Sequence, residues 1–585
     1  MKISQSEGYN TSVKQVNTMH TGNKNHLQNS SGVKFQSFKG PVDTAFNALD
    51  KVFGVLDKNA MIQVSCVDTV STNIPRTVVD LKTSLAASLE TCRREFSGLF
   101  VNCLMPGMVV WSLAKILPKS EELKGTDAAN SWANADAVNK FKDIYKSTHA
   151  IGNKDNTKEY VKKSLTSLRG LNGTKWVDYE SFQNNPEFTS AVDDITNAVS
   201  KTGNEREKLL ETAKAKLVKL TKAESILEFK NLSDKSAKNY TPQANLEYTI
   251  RDIADLGSKF NAVRDKTAKS LKKGASELTN KELSSSIDKY GEALKGFVNK
   301  KSLLGLGIVM SIAVSMQTIN RAITRKQFKT EGAPIYKDFG KKDTAPKMNE
   351  KQKKEFLGKR ILAAAGMYVL AGLSMMKKPT LSMFQFTGKF PTLDQCRWIA
   401  AATFASRMMV SEDENELRET TVRDMASFSG LYFLGDYAKK GAASAFEMFS
   451  KTDTGKEIFG EEIVLLNRKK TIEKPVIKEG DSKTVAMAKY RIAQFCNWIK
   501  NTDLKSANEV SSIKVRNLRN LCRVADITFS LVMLGILLPN YTRRVTERKV
   551  EEAKRTEEMQ KKAILDFSAI EKKSTPPIFK NLISA

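Results

Sequence analysis

Long uncharged runs separated by charged, helix-periodic stretches set the organisation of this chain. Ser302–Asn320 runs nineteen residues without a charge and Ile361–Met376 runs sixteen. About twenty apolar residues carry a helix across roughly 30 Å of hydrocarbon, and a helix satisfies its own backbone there. The two runs therefore predict a transmembrane hairpin over 301–378 around a basic loop, 321–360, that holds thirteen Lys/Arg against five Asp/Glu. Phe96–Ala114 is also uncharged, between Arg93-Arg94 and Lys115, and predicts a first transmembrane helix over 96–117, kinked at Pro106. Ile527–Thr542, between Asp526 and Arg543, predicts a last one over 527–542.

Between these runs the pattern is amphipathic. Residues 1–40 are polar and too poor in large apolar side chains to offset the entropy of ordering, so a disordered leader is expected. They also lack the apolar core of a signal peptide, so export of the whole chain is not expected unless an internal span serves as the signal. Residues 41–95 read as amphipathic helices. One carries Val42, Phe46, Leu49, Phe53 and Leu56, and another, over Thr77–Phe96, carries Val78, Leu81, Leu85, Leu89 and Cys92.

The charged region 118–300 is loop-rich around Gly152, Gly170, Gly173 and Pro186, then strongly helical. Leu210, Ala213 and Leu217, then Leu246, Ile250, Ile253 and Leu256, then Ile287, Tyr290, Leu294 and Phe297 step by three and four. Such stripes must bury against one another, which predicts a coiled-coil-like helical bundle outside the membrane. In 379–450 the apolar stretches Trp398–Ser406 and Met425–Gly435 are short. They fit re-entrant or interfacial helices, two further spans or the core of a soluble subdomain. Residues 451–526 read as a charged subdomain or linker with a turn-rich stretch at Lys474–Ser482, and 543–585 as a charged helical tail. The expected fold is all-α, a multi-span membrane protein of about four transmembrane helices with a helical-bundle extramembrane region.

Small residues mark candidate packing faces on the hairpin. Gly307, Ser311 and Ser315 recur every four residues, and Ala364/Ala371 and Ala365/Gly372 every seven. In lipid, packing drives helix association, and small side chains let backbones approach. Between the two short apolar stretches, Ser411–Glu419 is acidic. It reads as a capping box of Ser411 and Glu414 at a helix start in preference to a cation site.

Composition narrows the function. A mean hydropathy of −0.38 leaves most of the chain outside any bilayer, and the net charge of +29 favours an anionic partner. The candidate contacts for anionic lipid head groups are Arg321, Arg325, Lys326, Lys329, Lys353, Lys354, Lys359 and Arg360, each worth about 1 kcal/mol near a charged leaflet. The positive-inside rule places that loop, and with four spans both termini, in the cytoplasm.

The six cysteines form no CxxC pair, the three histidines are scattered, and no phosphate loop, HExxH or GxSxG motif is present. No catalytic residue, cofactor or metal is assigned. The expected role is that of a non-enzymatic membrane anchor, scaffold or envelope-organising component, with 118–300 available to a protein partner. The alternative is a soluble basic all-α protein that binds nucleic acid or another anionic surface.

Overall fold

The computed structural model describes residues 41–57, 60–82, 84–149, 156–230, 245–329, 349–375, 384–386, 391–473, 483–510 and 512–574. The polar leader 1–40, the middle of the basic loop and the turn-rich stretch Lys474–Ser482 lie outside the described residues.

Apart from five short strands the described chain is helical, and helix-to-helix contacts show how it is assembled. The first pass joins α1 (Pro41–Asp57), α2 (Ala60–Asp68), a π-helical turn (Thr69–Asn73) and α3 (Ile74–Leu81). The second joins α4 (Leu85–Cys103) to α5 (Met105–Ile116), which are bent by 41° at Leu104, just before Pro106. The expected single helix over Thr77–Phe96 is two. The chain leaves α3 at Leu81, and the Ser84 hydroxyl accepts from the Ala87 N–H to cap α4, reversing direction. The two then run antiparallel, Thr91 Oγ1 donating to Asp80 near the turn while Arg76 meets Glu95 farther along.

Next comes the bundle: α6 (Ala135–His149), α7 (Thr157–Thr166), β1 (Leu168–Asn172), β2 (Lys175–Asp178), α8 (Pro186–Ser200), α9 (Gly203–Thr221), β3 (Leu227–Phe229) and α10 (Leu246–Ser270). Its core holds the stripe residues Leu210, Leu217, Ile250, Ile253, Ile287, Tyr290 and Leu294. The antiparallel sheet β2-β1-β3 was not expected, because strands of three to five residues beside Gly170 and Gly173 show no alternating pattern. Asp252 is buried in this core beside Asp255, with Arg251 and Lys259 near. Burial, reinforced by Asp255, raises its carboxyl well above the ordinary 3.8, against the opposing pull of Arg251 and Lys259. A raised folded-state value means that the bundle loses stability as pH climbs from the ordinary aspartate range through the raised value. Asp252→Asn should therefore unfold at higher temperature than the parent at neutral pH, with the difference vanishing below pH about 4.

The third pass is α11 (Asn280–Phe328), one helix from the bundle through the apolar run, and α12 (Glu350–Met375) is the fourth. The fifth is α13 (Leu393–Val410). The sixth is α14 (Glu414–Ser429), a π-helical turn (Gly430–Leu434) and α15 (Gly435–Phe449). A small subdomain follows, with α16 (Asp453–Phe459), β4 (Leu466–Arg468), α17 (Lys483–Asn501) and β5 (Thr502–Leu504), where β4 and β5 pair antiparallel. The seventh pass is α18 (Ile513–Ser530), a π-helical turn (Leu531–Leu537) and α19 (Leu538–Ser574).

Neighbouring passes alternate in direction. Arg93 meets Thr324 while Val110 packs on Gly305, so the second and third are antiparallel. Arg360 meets Met409 while Tyr368 lies by Trp398, and Arg397 meets Tyr432 while Arg407 meets Asp424, which makes the next pairs antiparallel too. Thr546 meets Glu419 while Leu534 lies on Gly430. The first and seventh run parallel, Asp50 beside Asn520 and Asp80 beside Arg543. At their crossing a Cβ on Gly535 would meet Pro75 at 2.9 Å, so only glycine admits the first pass there.

Seven passes therefore traverse the bundle among the described residues, where four apolar runs had suggested four. Three helices, Asn280–Phe328, Glu350–Met375 and Ile513–Lys549, are long and apolar enough to cross a membrane, and a fourth span results if bent α4 and α5 count as one. Two of the extra passes fall on the short stretches that two further spans would fit, Trp398–Ser406 and Met425–Gly435, and the first covers the helices expected over 41–95. α13 is buried all round, from Ile399 through Met408, between α4, α11, α12 and α14. It holds the short stretch Trp398–Ser406, enclosed by other helices of the chain.

The small-residue faces divide. Ala364 and Ala371 are buried around Met367. Gly307, Ser311 and Ser315 are exposed, as is Ala365, and a Cβ on Gly307 or Gly372 would meet nothing within 4 Å. The packing face of α11 lies elsewhere around the helix, at Gly305, Val309 and Ala313, because α5 and α13 approach from that side.

Candidate functional site: a buried charge network and a basic cavity

Each apolar run ends in charge at the same level of the bundle, away from residues 118–300. Glu95 precedes the run of α4, Arg321 follows that of α11, Arg360 precedes that of α12, and Arg407 follows that of α13. Helical alternation turns several of these inward. Glu95 lies 3.2 Å from Arg94, 3.6 Å from Arg76 and 3.5 Å from Arg407. Arg407 reaches Asp424 at 3.5 Å, and Arg423 reaches Asp424 at 3.3 Å and Glu419 at 3.9 Å. Arg76 donates to Ser427 Oγ, and Thr546 Oγ1 donates to Glu419. All seven charged groups are buried, and they tie together the first, second, fifth, sixth and seventh passes. Arg93-Arg94 was legible only as a basic flank. The inward geometry of Glu95 had no signal in a single sequence, because its partners lie on other passes.

A second cluster forms where α11 leaves and α12 enters the bundle. The acidic run Ser411–Glu419 does cap a helix, but the cap is Asp413, whose carboxylate accepts from the Glu416 N–H at 2.8 Å, and not Ser411. Three of its other acids meet the basic loop: Glu412 pairs with Arg325, Glu414 with Lys359 at 2.5 Å, and Glu416 with Arg321. Among the described residues no group of three or more His, Cys, Asp or Glu side chains could hold a metal ion.

Beside these pairs lies an open cavity of about 750 Å³, lined by Arg321, Arg325, Lys353, Lys354, Arg360 and Glu412 with Phe356 and Leu357. It gathers five of the eight residues expected to contact anionic lipid. Of the rest, Lys326 and Lys329 are exposed outside it, and Lys359 is taken up by Glu414. Arg360 Nη1 donates to the Met409 carbonyl at 2.9 Å, and its ion stacks over Phe356. Comparison with family models, with curated proteins and with solved structures gives no match for this chain.

Proposed function

We propose that this protein is a non-catalytic, multi-pass membrane scaffold that holds the 118–300 bundle and the 451–512 subdomain against one face of a bilayer. The observation that carries the reading is where large apolar side chains meet solvent. Phe100, Trp111, Ile308, Val314, Leu362, Val369, Val532 and Ile536 are exposed on the passes, whereas the described part of 118–300 exposes one large hydrophobic, Leu271. Only 33%, 22% and 33% of the most apolar windows of α11, α12 and the α18–α19 pass is buried within the chain. Exposed apolar surface on that scale is favourable against acyl chains and costly in water. A soluble basic protein would instead have to bury these faces.

On this reading α13 is shielded from lipid by its neighbours, which is why it carries Thr403, Ser406 and Arg407 without cost to the lipid-facing surface. An odd number of passes puts α1 and the exposed end of α19 on opposite faces, in place of the same-side arrangement that four spans imply. The protein should stay in the membrane pellet after both high salt and alkaline carbonate. Release by salt alone would remove the membrane reading, and proteolytic tags in 118–300 and on α19 should be cut from opposite sides of sealed vesicles.

A further inference from the structure

We propose that the cavity between α11, α12 and the end of α13 is a binding site for one anionic phospholipid, whose phosphate sits among Arg321, Arg325, Lys353, Lys354 and Arg360. The inference rests on the membrane reading above and names the ligand of one site within it. Three features point the same way.

The first is charge. Among the described residues five cations line the cavity with one carboxylate, Glu412. Glu412 pairs with Arg325, Glu416 holds Arg321 and Glu350 meets Lys353 at 2.9 Å, so the wall keeps a net positive charge through Lys354 and Arg360.

The second is unused hydrogen-bonding capacity. Arg321 is 5% exposed, and while one of its nitrogens is held by Glu416, its Nε and Nη1 are buried without a hydrogen-bond partner. Nε of Arg360 is in the same condition. A buried guanidinium N–H left unmade is costly, and each is a charge-assisted donor of the kind that recognises a phosphate oxygen.

The third is amphipathic continuity. Leu357 lines the cavity, and Ile361, four residues on and so on the same face of α12, is exposed. Ala322 lines it from α11, and Ile319, three residues back into the apolar run, is exposed likewise. The site thus opens from cations at the boundary of the apolar runs onto apolar helix faces that continue away from it. A soluble phosphate would use the first part alone; a diacyl lipid with an anionic head group uses both.

The test uses the full chain purified in a neutral detergent. Phosphatidylglycerol should raise the unfolding temperature and bind saturably, whereas phosphatidylcholine and inorganic phosphate should do neither. Lys353→Gln with Lys354→Gln should weaken phosphatidylglycerol binding by about fivefold for each lysine removed. Both lysines are exposed, so the pair should fold as the parent does. Lys326→Gln with Lys329→Gln, at the same helix end but outside the cavity, should leave binding unchanged. Equal response to the two lipids, equal loss in the two double variants, or saturable binding of phosphate alone would overturn the proposal. Carbonate extraction of the same preparations separates the two readings. Release sinks the membrane assignment and the lipid site with it, whereas retention without a preference for phosphatidylglycerol sinks the lipid site alone.

Discussion

Glu95→Ala should destabilise the helical passes by about 3–5 kcal/mol, the usual cost of removing one partner from a buried ion network. Among the described residues Glu95 is the one carboxylate that lies within 4.0 Å of all three of Arg76, Arg94 and Arg407, which come from α3, α4 and α13. Its removal leaves Arg76 and Arg94 with no described carboxylate in contact and Arg407 with Asp424. None of the three can reach solvent, since all are buried at a point where five passes meet. Glu95→Gln keeps the volume and one acceptor but not the charge, and should fall between the parent and Glu95→Ala. Glu95→Ala with Arg94→Ala should be more stable than Glu95→Ala alone, because the second change removes an uncompensated cation. Reversible unfolding in mixed micelles, read by tryptophan fluorescence, measures all three. A loss under about 1 kcal/mol for Glu95→Ala would mean that water reaches the network, as for an exposed pair.

This network marks where sequence patterning ran out. The four apolar runs were legible by length and composition alone: α11, α12 and the seventh pass are each long and apolar enough to cross a membrane, as are α4 and α5 if the bent pair is one span. The stripes of the bundle were legible because each faces water on its other side. α13 was legible only as the short stretch Trp398–Ser406, which a further span was one way to fit, since a helix enclosed by protein needs no run of twenty apolar residues. Its Thr403, for instance, is satisfied by the Asn102 side chain and the Ile399 carbonyl. The first and sixth passes were hidden for a second reason. Each is interrupted by a π-helical turn, Thr69–Asn73 and Gly430–Leu434, which shifts the helical phase, and neither has the long uncharged run that kept the seventh pass legible across its own π-helical turn, Leu531–Leu537. The cations of the basic cavity were visible as a charge-rich loop. That five of them share one cavity follows from α11 and α12 continuing as helices well into that loop, which charge counting alone does not reveal.

Glu509→Ala should open the joint between the bundle and the 451–512 subdomain, with a loss of about 3 kcal/mol confined to that joint, since each buried donor left unmade costs about 1–3 kcal/mol. Glu509 is 4% exposed, and its carboxylate collects donors from both sides. From the bundle it accepts the Glu224 N–H at 2.8 Å, the Ser225 N–H at 3.1 Å and the Ser225 hydroxyl at 3.0 Å. From the subdomain it accepts the Ser506 N–H at 2.7 Å and the Asn467 amide at 3.2 Å. The adjoining backbone pair, Arg468 N–H to the Gly173 carbonyl at 2.7 Å, runs between β4 and the β1–β2 turn. Amide exchange at 224–225, 467–468 and 506 should therefore accelerate together in Glu509→Ala while α13 stays protected, and Glu509→Gln, which keeps a single acceptor oxygen, should accelerate less. Unchanged exchange at these amides would show that the two pieces are held elsewhere. The bundle is strung between the second and third passes and the subdomain between the sixth and seventh, so this one carboxylate ties together chain segments nearly three hundred residues apart. Losing that tie should leave the passes assembled while the two pieces move independently.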